Sequence, residues 1–280
     1  MRRSRDDGAI RLVVNADDLG LHPSIDAGIL RAHREGIVTS ATVLVTGRSA
    51  AKAIADAKQQ RLPLGVHLCL TTNLPPAADP SQVASLAPHG RFRPRWPQVL
   101  AAWSLGRIRL REVEVEFRAQ IALARKLGAK PDHLDGHQHL HVLPGIAGVL
   151  RSVADAEKLP VRWPVAQPSI GWLLQPASAI KTSGVALLSK VARRGAAGLP
   201  GLGTFEAGAL TEERLLAIIS SLGPGDHEIG CHPGERAQNV PEQPGWKYGW
   251  EDELKALCSP RVRALVTERR IRLVSYSELT

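Results

Sequence analysis

Cysteine is scarce in this chain, with three in 280 residues and no two close together. That count excludes a disulfide framework and fits a reducing compartment. Aromatic residues are also few, six Trp, two Tyr and three Phe, and no base-stacking motif or recognition-helix signature accompanies the formal net charge of +9. Nucleic acid is therefore not among the expected partners. No apolar run approaches the ~20 residues of a membrane span. The start, Met-Arg-Arg-Ser-Arg-Asp-Asp, is basic, but the apolar stretch behind it is short and leads into Asp17-Asp18. A secretory signal is not expected, and the protein is placed in the cytoplasm. The serine-hydrolase elbow, the Walker loop, the dinucleotide glycine fingerprint and the zincin helix motif are all missing.

Apolar residues at 44% and charged residues at 22% are ordinary globular values. Short β-branched runs alternate with longer helical patterns, the α/β signature. Strands are expected at 11–16, 39–45, 64–70, 132–136, 161–163, 228–231 and 271–276. Helices are expected at 24–34, to about Lys58 after the second strand, from Leu110 to Gly128, after Pro144, from the Thr211 cap to Leu222, and at 251–267. A proline-rich stretch from Pro75 to Pro97 is too long for a tight turn and reads as a lid or rim. Seven or eight strand–helix units fit one irregular (β/α) barrel over residues 11–280 better than two domains. Residues 1–10 are expected to be a disordered N-terminal segment.

The polar chemistry collects at four strand ends. These are Asn15-Ala-Asp17-Asp18-Leu-Gly20, Gly65-Val-His67, His133-Leu-Asp135-Gly-His137-Gln-His139-Leu-His141 and Gly230-Cys-His232-Pro233. In a parallel barrel the C-terminal strand ends share one face, where active sites lie. Each piece alone reads as ordinary structure: an Asp cap, a core His, a polar loop, a rigid turn. Four such clusters at matching strand ends would be costly to bury without a shared purpose. Two imidazoles and a carboxylate leave open positions on a divalent ion, as catalytic metal sites do. In an extended strand His137, His139 and His141 would face one side; in a helix only His137 and His141 would align. Cys231 and His232 are strand neighbours pointing to opposite faces, so a Cys–His nucleophile is poor geometry and Cys231 reads as a buried thiol.

These motifs, together with Gly-Ile-Val-Thr-Ser at 36–40, resemble the YdjC-type carbohydrate deacetylases, including the chitooligosaccharide and hopanoid-biosynthesis branches. The similarity runs from about residue 11 to the C-terminus in the family's motif order. Leu19 stands where the family's first motif usually has Phe. The resemblance implies an irregular deacetylase-type (β/α) barrel and hydrolysis of an N-acetyl group on an amino sugar. It implies that Asp18, His67 and His137 are metal ligands, Asp17 the general base and His232 the general acid. His139, His141 and Asp135 stay open as reserve ligands or substrate contacts, and Asp135 equally as a residue that orients an imidazole or as a structural residue of the strand end. The cofactor is one divalent ion. Two imidazoles are softer ligands than Mg²⁺ prefers, and Mg, Zn, Co, Mn and Ni are not distinguished. Ester or phosphoester cleavage at the same site, and a catalytically inactive sugar-binding protein, are the competing readings.

The excess charge is uneven. Lys158, Arg162, Lys181, Lys190, Arg193 and Arg194 lie between Lys158 and Phe205 without a single acid. Ile180, Leu187, Leu188 and Val191 share one helical face there. The plain reading is a barrel helix with a solvated basic rim. The sharper one is peripheral contact through 178–195, with the Trp163 and Trp172 loops, to an anionic inner-membrane face or a lipid-linked glycan. An N-acetylated sugar, free, oligomeric or carried on a lipid or nucleotide, is the expected substrate, and a homodimer stays open.

Overall fold

The computed structural model describes residues 8–164, 176–193, 201–202, 207–235 and 248–279. Its strands are β1 (Ile10–Leu19), β2 (Ser40–Val43), β3 (Leu64–Leu68), β4 (Leu134–Gly136), β5 (Gly201–Leu202), β6 (Gly225–Cys231) and β7 (Arg272–Leu273). They form one seven-stranded sheet in the order β4-β3-β2-β1-β6-β5, with β7 also paired to β1. Every pairing is parallel. Parallel strands need long crossovers, and helices supply them: α1 (Pro23–Glu35), α2 (Ala50–Gln59), α3 (Trp96–Ser104), α4 (Leu110–Lys126), α5 (Ile146–Glu157), α6 (Pro176–Arg193), α7 (Glu212–Ser221), α8 (Trp250–Leu257) and α9 (Pro260–Glu268).

β1 is the central strand. Its last eight residues, Leu12–Leu19, are all buried, as expected for a strand covered on both faces. One hydrophobic cluster runs from Leu12 through Phe117 and Leu150 to Ile271. Among the described residues, the sheet continues beyond β4 only as a single parallel bridge between Leu134 and Val161. The next residue, Arg162, sends its guanidinium to Glu228 on β6, near the opposite edge. The sheet must therefore curl until its two edges approach each other, which is the barrel-like form of the α/β architecture.

Several boundaries differ from the sequence expectation. The helix expected over 251–267 is two helices. Pro260 has no N–H to continue the first, and Ser259 Oγ instead accepts from Arg261 N and Val262 N to start α9. The strand expected over 271–276 keeps only Arg272–Leu273, followed by a short 3₁₀ turn at Tyr276–Glu278. The proline-rich stretch is a pinned rim that ends in α3, a helix unforeseen because Pro97 sits at its first turn, where proline is tolerated. Val83, Leu86 and Phe92 are buried in the rim. The α4 carboxylates hold its backbone: Glu116 accepts from Ala77 N (2.9 Å) and Ala78 N (3.0 Å), and Glu112 from Ser85 N (2.6 Å).

Helix α6 also turns differently. Ser189 and Ala192 are its buried residues among those described, with Val185 and Leu188 packed on the core. Leu187 and Val191 are 65% and 62% exposed. The face expected to unite Leu187, Leu188 and Val191 is thus split, because the small Ser189 and Ala192 let the helix approach the core one notch around. The side chains of Ile180 and Lys181, and all of Trp172 and Arg194, lie outside the described residues. Among the described residues, no helix is long and apolar enough to cross a membrane.

Candidate functional site

The register places the site. Asn15 on β1 lies opposite Ser40 and Gly230, and His67 on β3 opposite Asp135 on β4. Asp17, Asp18, His67, His137 and His232 therefore emerge at the C-terminal ends of four strands, where side chains of distant segments meet. Near its end β1 is irregular, with a register shift between Ala16 and Leu19 and Asp18 at φ 71°, a left-handed conformation costly for a non-glycine residue and common at functional sites. That conformation rotates Asp18 away from Asp17, so adjacent carboxylates aim at different neighbours.

Asp18 Oδ1 stands 2.9 Å from His137 Nδ1 and 3.4 Å from His67 Nε2. All three side chains are buried. Burial works to raise the Asp18 carboxyl, but His137 and His67 hold it well below the usual carboxylate range. Asp18 Oδ1 nonetheless has no well-directed hydrogen bond, so it faces two ring nitrogens as a third lone pair would. The three donor atoms lie within 4.8 Å of one another. One oxygen and two imidazole nitrogens on three strand ends fit a divalent ion with open positions. Asp135 Oδ1 lies 2.5 Å from His67 Nδ1. Accepting the proton there leaves His67 Nε2 as the lone-pair nitrogen turned to Asp18, the outer contact typical of metal-bound imidazoles.

Asp17 is fixed by one of its oxygens. Oδ1 accepts from Arg162 Nη1 (2.6 Å) and Asn15 Nδ2 (2.7 Å), with Thr42 Oγ1 at 3.3 Å. Oδ2 faces His232 Nε2 across 3.8 Å. That gap is too long for a direct hydrogen bond, and a reacting group set beside the line between them lies within reach of both atoms. A carboxylate and an imidazole opposed beside the Asp18, His67 and His137 cluster are groups able to accept and donate a proton in one place.

The sequence places Arg162 in the acid-free basic segment expected to meet an anionic partner, and the structure corrects that expectation. It is buried in the barrel interior, donating to Asp17, to Asp135 Oδ2 (2.8 Å) and to Glu228. Gly230 makes room for it, since a Cβ there would overlap Arg162 Nη2. Arg162, Glu228, Asn15 and Thr42 are site residues that the sequence reading passed over. The available signal was a charge inside each of two short apolar strands, Val161-Arg-Trp and Glu228-Ile-Gly-Cys, where an unpaired charge would be expensive.

The segment after His137 is neither strand nor α-helix. It is a 3₁₀ turn over His137–Val142 with Gln138 and His139 at φ 54° and 57°. The turn aims His137 at Asp18 and sends the other two away from it. His139 and His141, with ring centroids 6.1 Å apart, border a cavity for about one water molecule alongside Asp135, Arg162 and Trp163. Among the described residues neither joins a group of ligand atoms able to hold an ion. Burial pulls the His141 imidazole down to about 4. His133 stacks on Tyr276 at 3.8 Å, away from the cluster. Burial raises the Cys231 thiol well above its ordinary value and the Cys69 thiol to about 12, so neither is a nucleophile at neutral pH.

The turn carrying Asp17 and Asp18 is braced from α1, where Asp26 Oδ1 accepts from Gly20 N at 2.6 Å. Burial raises the Asp26 carboxyl to about 6, against opposing bonds from Ser49 and Gly20. The folded state thus holds this proton more tightly than the unfolded chain. Its stabilisation is complete below pH 4 and is lost as pH rises through 6. Asp26→Asn keeps the acceptor without the charge. It should unfold about 3 kcal/mol later than wild type at pH 8 and equally at pH 4. Urea denaturation at the two pH values checks this, and equal stability at pH 8 would contradict it.

Residues 11–268 match the family model of the YdjC-like proteins. The chain belongs to the YdjC-like family. Among YdjC-like relatives, a carbohydrate deacetylase of Brevibacillus brevis is 30% identical over 275 residues, covering 96% of this chain and 100% of that protein. A chitooligosaccharide deacetylase of Serratia marcescens is 30% identical over 278 residues, covering 96% and 98%. A solved Enterococcus faecalis V583 protein, whose name proposes cleavage of cellobiose phosphate, superposes with a TM-score of 0.78 at 30% identity, covering 97% of this chain and 99% of that one.

Proposed function

We propose that this YdjC-like protein is a metal-dependent hydrolase that removes the N-acetyl group from an amino sugar. The observation that carries the reading is the juxtaposition of Asp17 and His232 across 3.8 Å beside the Asp18, His67 and His137 cluster. The names of the relatives supply the substrate class, an acetylated carbohydrate.

A divalent ion held by Asp18, His67 and His137 would polarise the acetyl carbonyl and lower the pKa of its water. Asp17 Oδ2 would take the proton from the attacking water, while Oδ1 stays anchored to Arg162 and Asn15. His232 Nε2 then gives a proton to the amine nitrogen as the C–N bond breaks, because an amide anion is a prohibitive leaving group. Acetate and the free amino sugar are the products. Arg162, the only Lys or Arg side chain paired with the site carboxylates among the described residues, bonds three of them and so serves to hold Asp17 in place.

Removal of the ion with EDTA should abolish acetate release from N-acetylglucosamine and its oligomers, and added Zn²⁺, Co²⁺, Mn²⁺, Ni²⁺ or Mg²⁺ should restore it. A coupled acetate assay over that panel is the test. Full activity in EDTA would contradict the role of the ion, and no acetate from any acetylated sugar would contradict the substrate class.

A further inference from the structure

Glu253 lies in the first turn of α8 and is completely buried. One of its carboxylate oxygens accepts from Gly208 N at 2.6 Å and Leu210 N at 3.4 Å. The other accepts from His232 N at 2.6 Å. A single side chain therefore grips three backbone amides on two separate segments: the turn before α7 and the strand end that carries His232. Acidic residues in a helix first turn are favoured by the helix dipole, which offsets part of the cost of burying this one.

The same wall is completed by Tyr248, two residues before α8. Its ring meets the His232 ring edge-on at 5.1 Å. It fits over Gly208, where a Cβ would overlap the ring, and Gly208 itself has φ 80°. Gly249 N donates to Gly208 O at 2.8 Å, tying the two pieces together. His232 is thus held from its backbone by Glu253 and from its ring by Tyr248, while its Nε2 points at Asp17.

Resting on the deacetylase reading, we infer that Glu253 is a positioning residue that, with Tyr248, fixes His232 for proton delivery to the departing amine. Glutamine cannot replace it, because its one carbonyl oxygen can serve one side of the clamp while its NH₂ confronts an amide N–H on the other. A displacement of about 1 Å at a proton donor is enough to cost about 100-fold in rate.

The test compares metal-loaded wild type and Glu253→Gln on N,N′-diacetylchitobiose, whose amine must be protonated to leave, and on 4-nitrophenyl acetate, whose phenolate needs no proton. The variant should lose about 30-fold in kcat on the amide with KM within about twofold, and about threefold or less on the ester. Exchange of the His232 amide hydrogen should accelerate about tenfold. Equal losses on both substrates, or amide activity within twofold of wild type, would overturn the inference. Should Glu253→Gln not fold, Tyr248→Ala, which leaves the three amide bonds in place, must show the same selective loss. A wild type that releases acetate from neither substrate contradicts the deacetylase reading instead. Amide exchange then decides the clamp, with unchanged His232 and Gly208 protection in the variant overturning it.

Discussion

Arg162→Met is expected to destabilise the protein by about 3–5 kcal/mol, the usual cost of removing one partner from a buried ionic cluster. The substitution keeps the volume and leaves Asp17, Asp135 and Glu228 buried with no cation between them. Burial opposes the Arg162 charge, but Asp17, Glu228 and Asp135 hold its pKa well above the ordinary arginine value. The guanidinium bonds all three carboxylates, and its removal takes that partner from each of them at once. Lysine should not rescue the loss, because a single ammonium cannot span carboxylates that the planar fork reaches from two nitrogens, Nε to Glu228 and Nη1 to Asp17 and Asp135. Urea denaturation measures the effect, and a variant within 1 kcal/mol of wild type would mean that the barrel interior does not depend on this cluster. Surviving protein should also lose activity, because Asp17 Oδ1 would keep only Asn15 and Thr42 as anchors.

Asp17→Asn should lower kcat by about 10³-fold, within the range assigned to loss of a general base, while leaving ion affinity unchanged within about threefold. The asparagine carbonyl can still accept from Arg162 and Asn15, so the fold of the turn is retained. The NH₂ then occupies the place of Oδ2 opposite His232, where it cannot take a proton. The pairing of lost turnover with retained ion binding is the point of the experiment. It separates the role proposed for Asp17 from that of its neighbour Asp18, whose loss should abolish both. Steady-state kinetics and a metal titration on the same preparation check it. An Asn variant with a tenth or more of wild-type turnover would remove Asp17 from the chemistry.

The alternation of strands and helices made the four strand-end motifs legible, and the resemblance to the YdjC-type family implied which of their residues form the set. Those residues are Asp17, Asp18, His67, His137 and His232, and the parallel register brings all five to one face. Arg162 could not be separated from surface charge by composition, because a base in an acid-free stretch looks the same whether it faces solvent or the barrel interior. Only its place inside a short apolar run, like that of Glu228, pointed inward. The curl of the sheet, which joins their distant strands, is a tertiary fact. Glu253 was hidden for a related reason: on a helix rich in Glu and Asp, one buried acid has the same local pattern as its solvated neighbours. The 3₁₀ turn at His137–Val142 depends on left-handed conformations at Gln138 and His139, residue types that do not announce them as glycine would. The break at Ser259-Pro260 was written in the sequence, but continuous apolar spacing on either side masked it.

The central claim is that one divalent ion on Asp18, His67 and His137 sustains amide hydrolysis by Asp17 and His232. The most direct measurement is a calorimetric titration of Zn²⁺ into EDTA-stripped wild type and Asp18→Ala, with acetate release from N,N′-diacetylchitobiose assayed on the same samples. The account predicts one high-affinity ion per wild-type chain, acetate release proportional to occupancy, and neither in the variant. Undiminished binding in Asp18→Ala, or acetate release from the stripped wild type at its full rate, would contradict it.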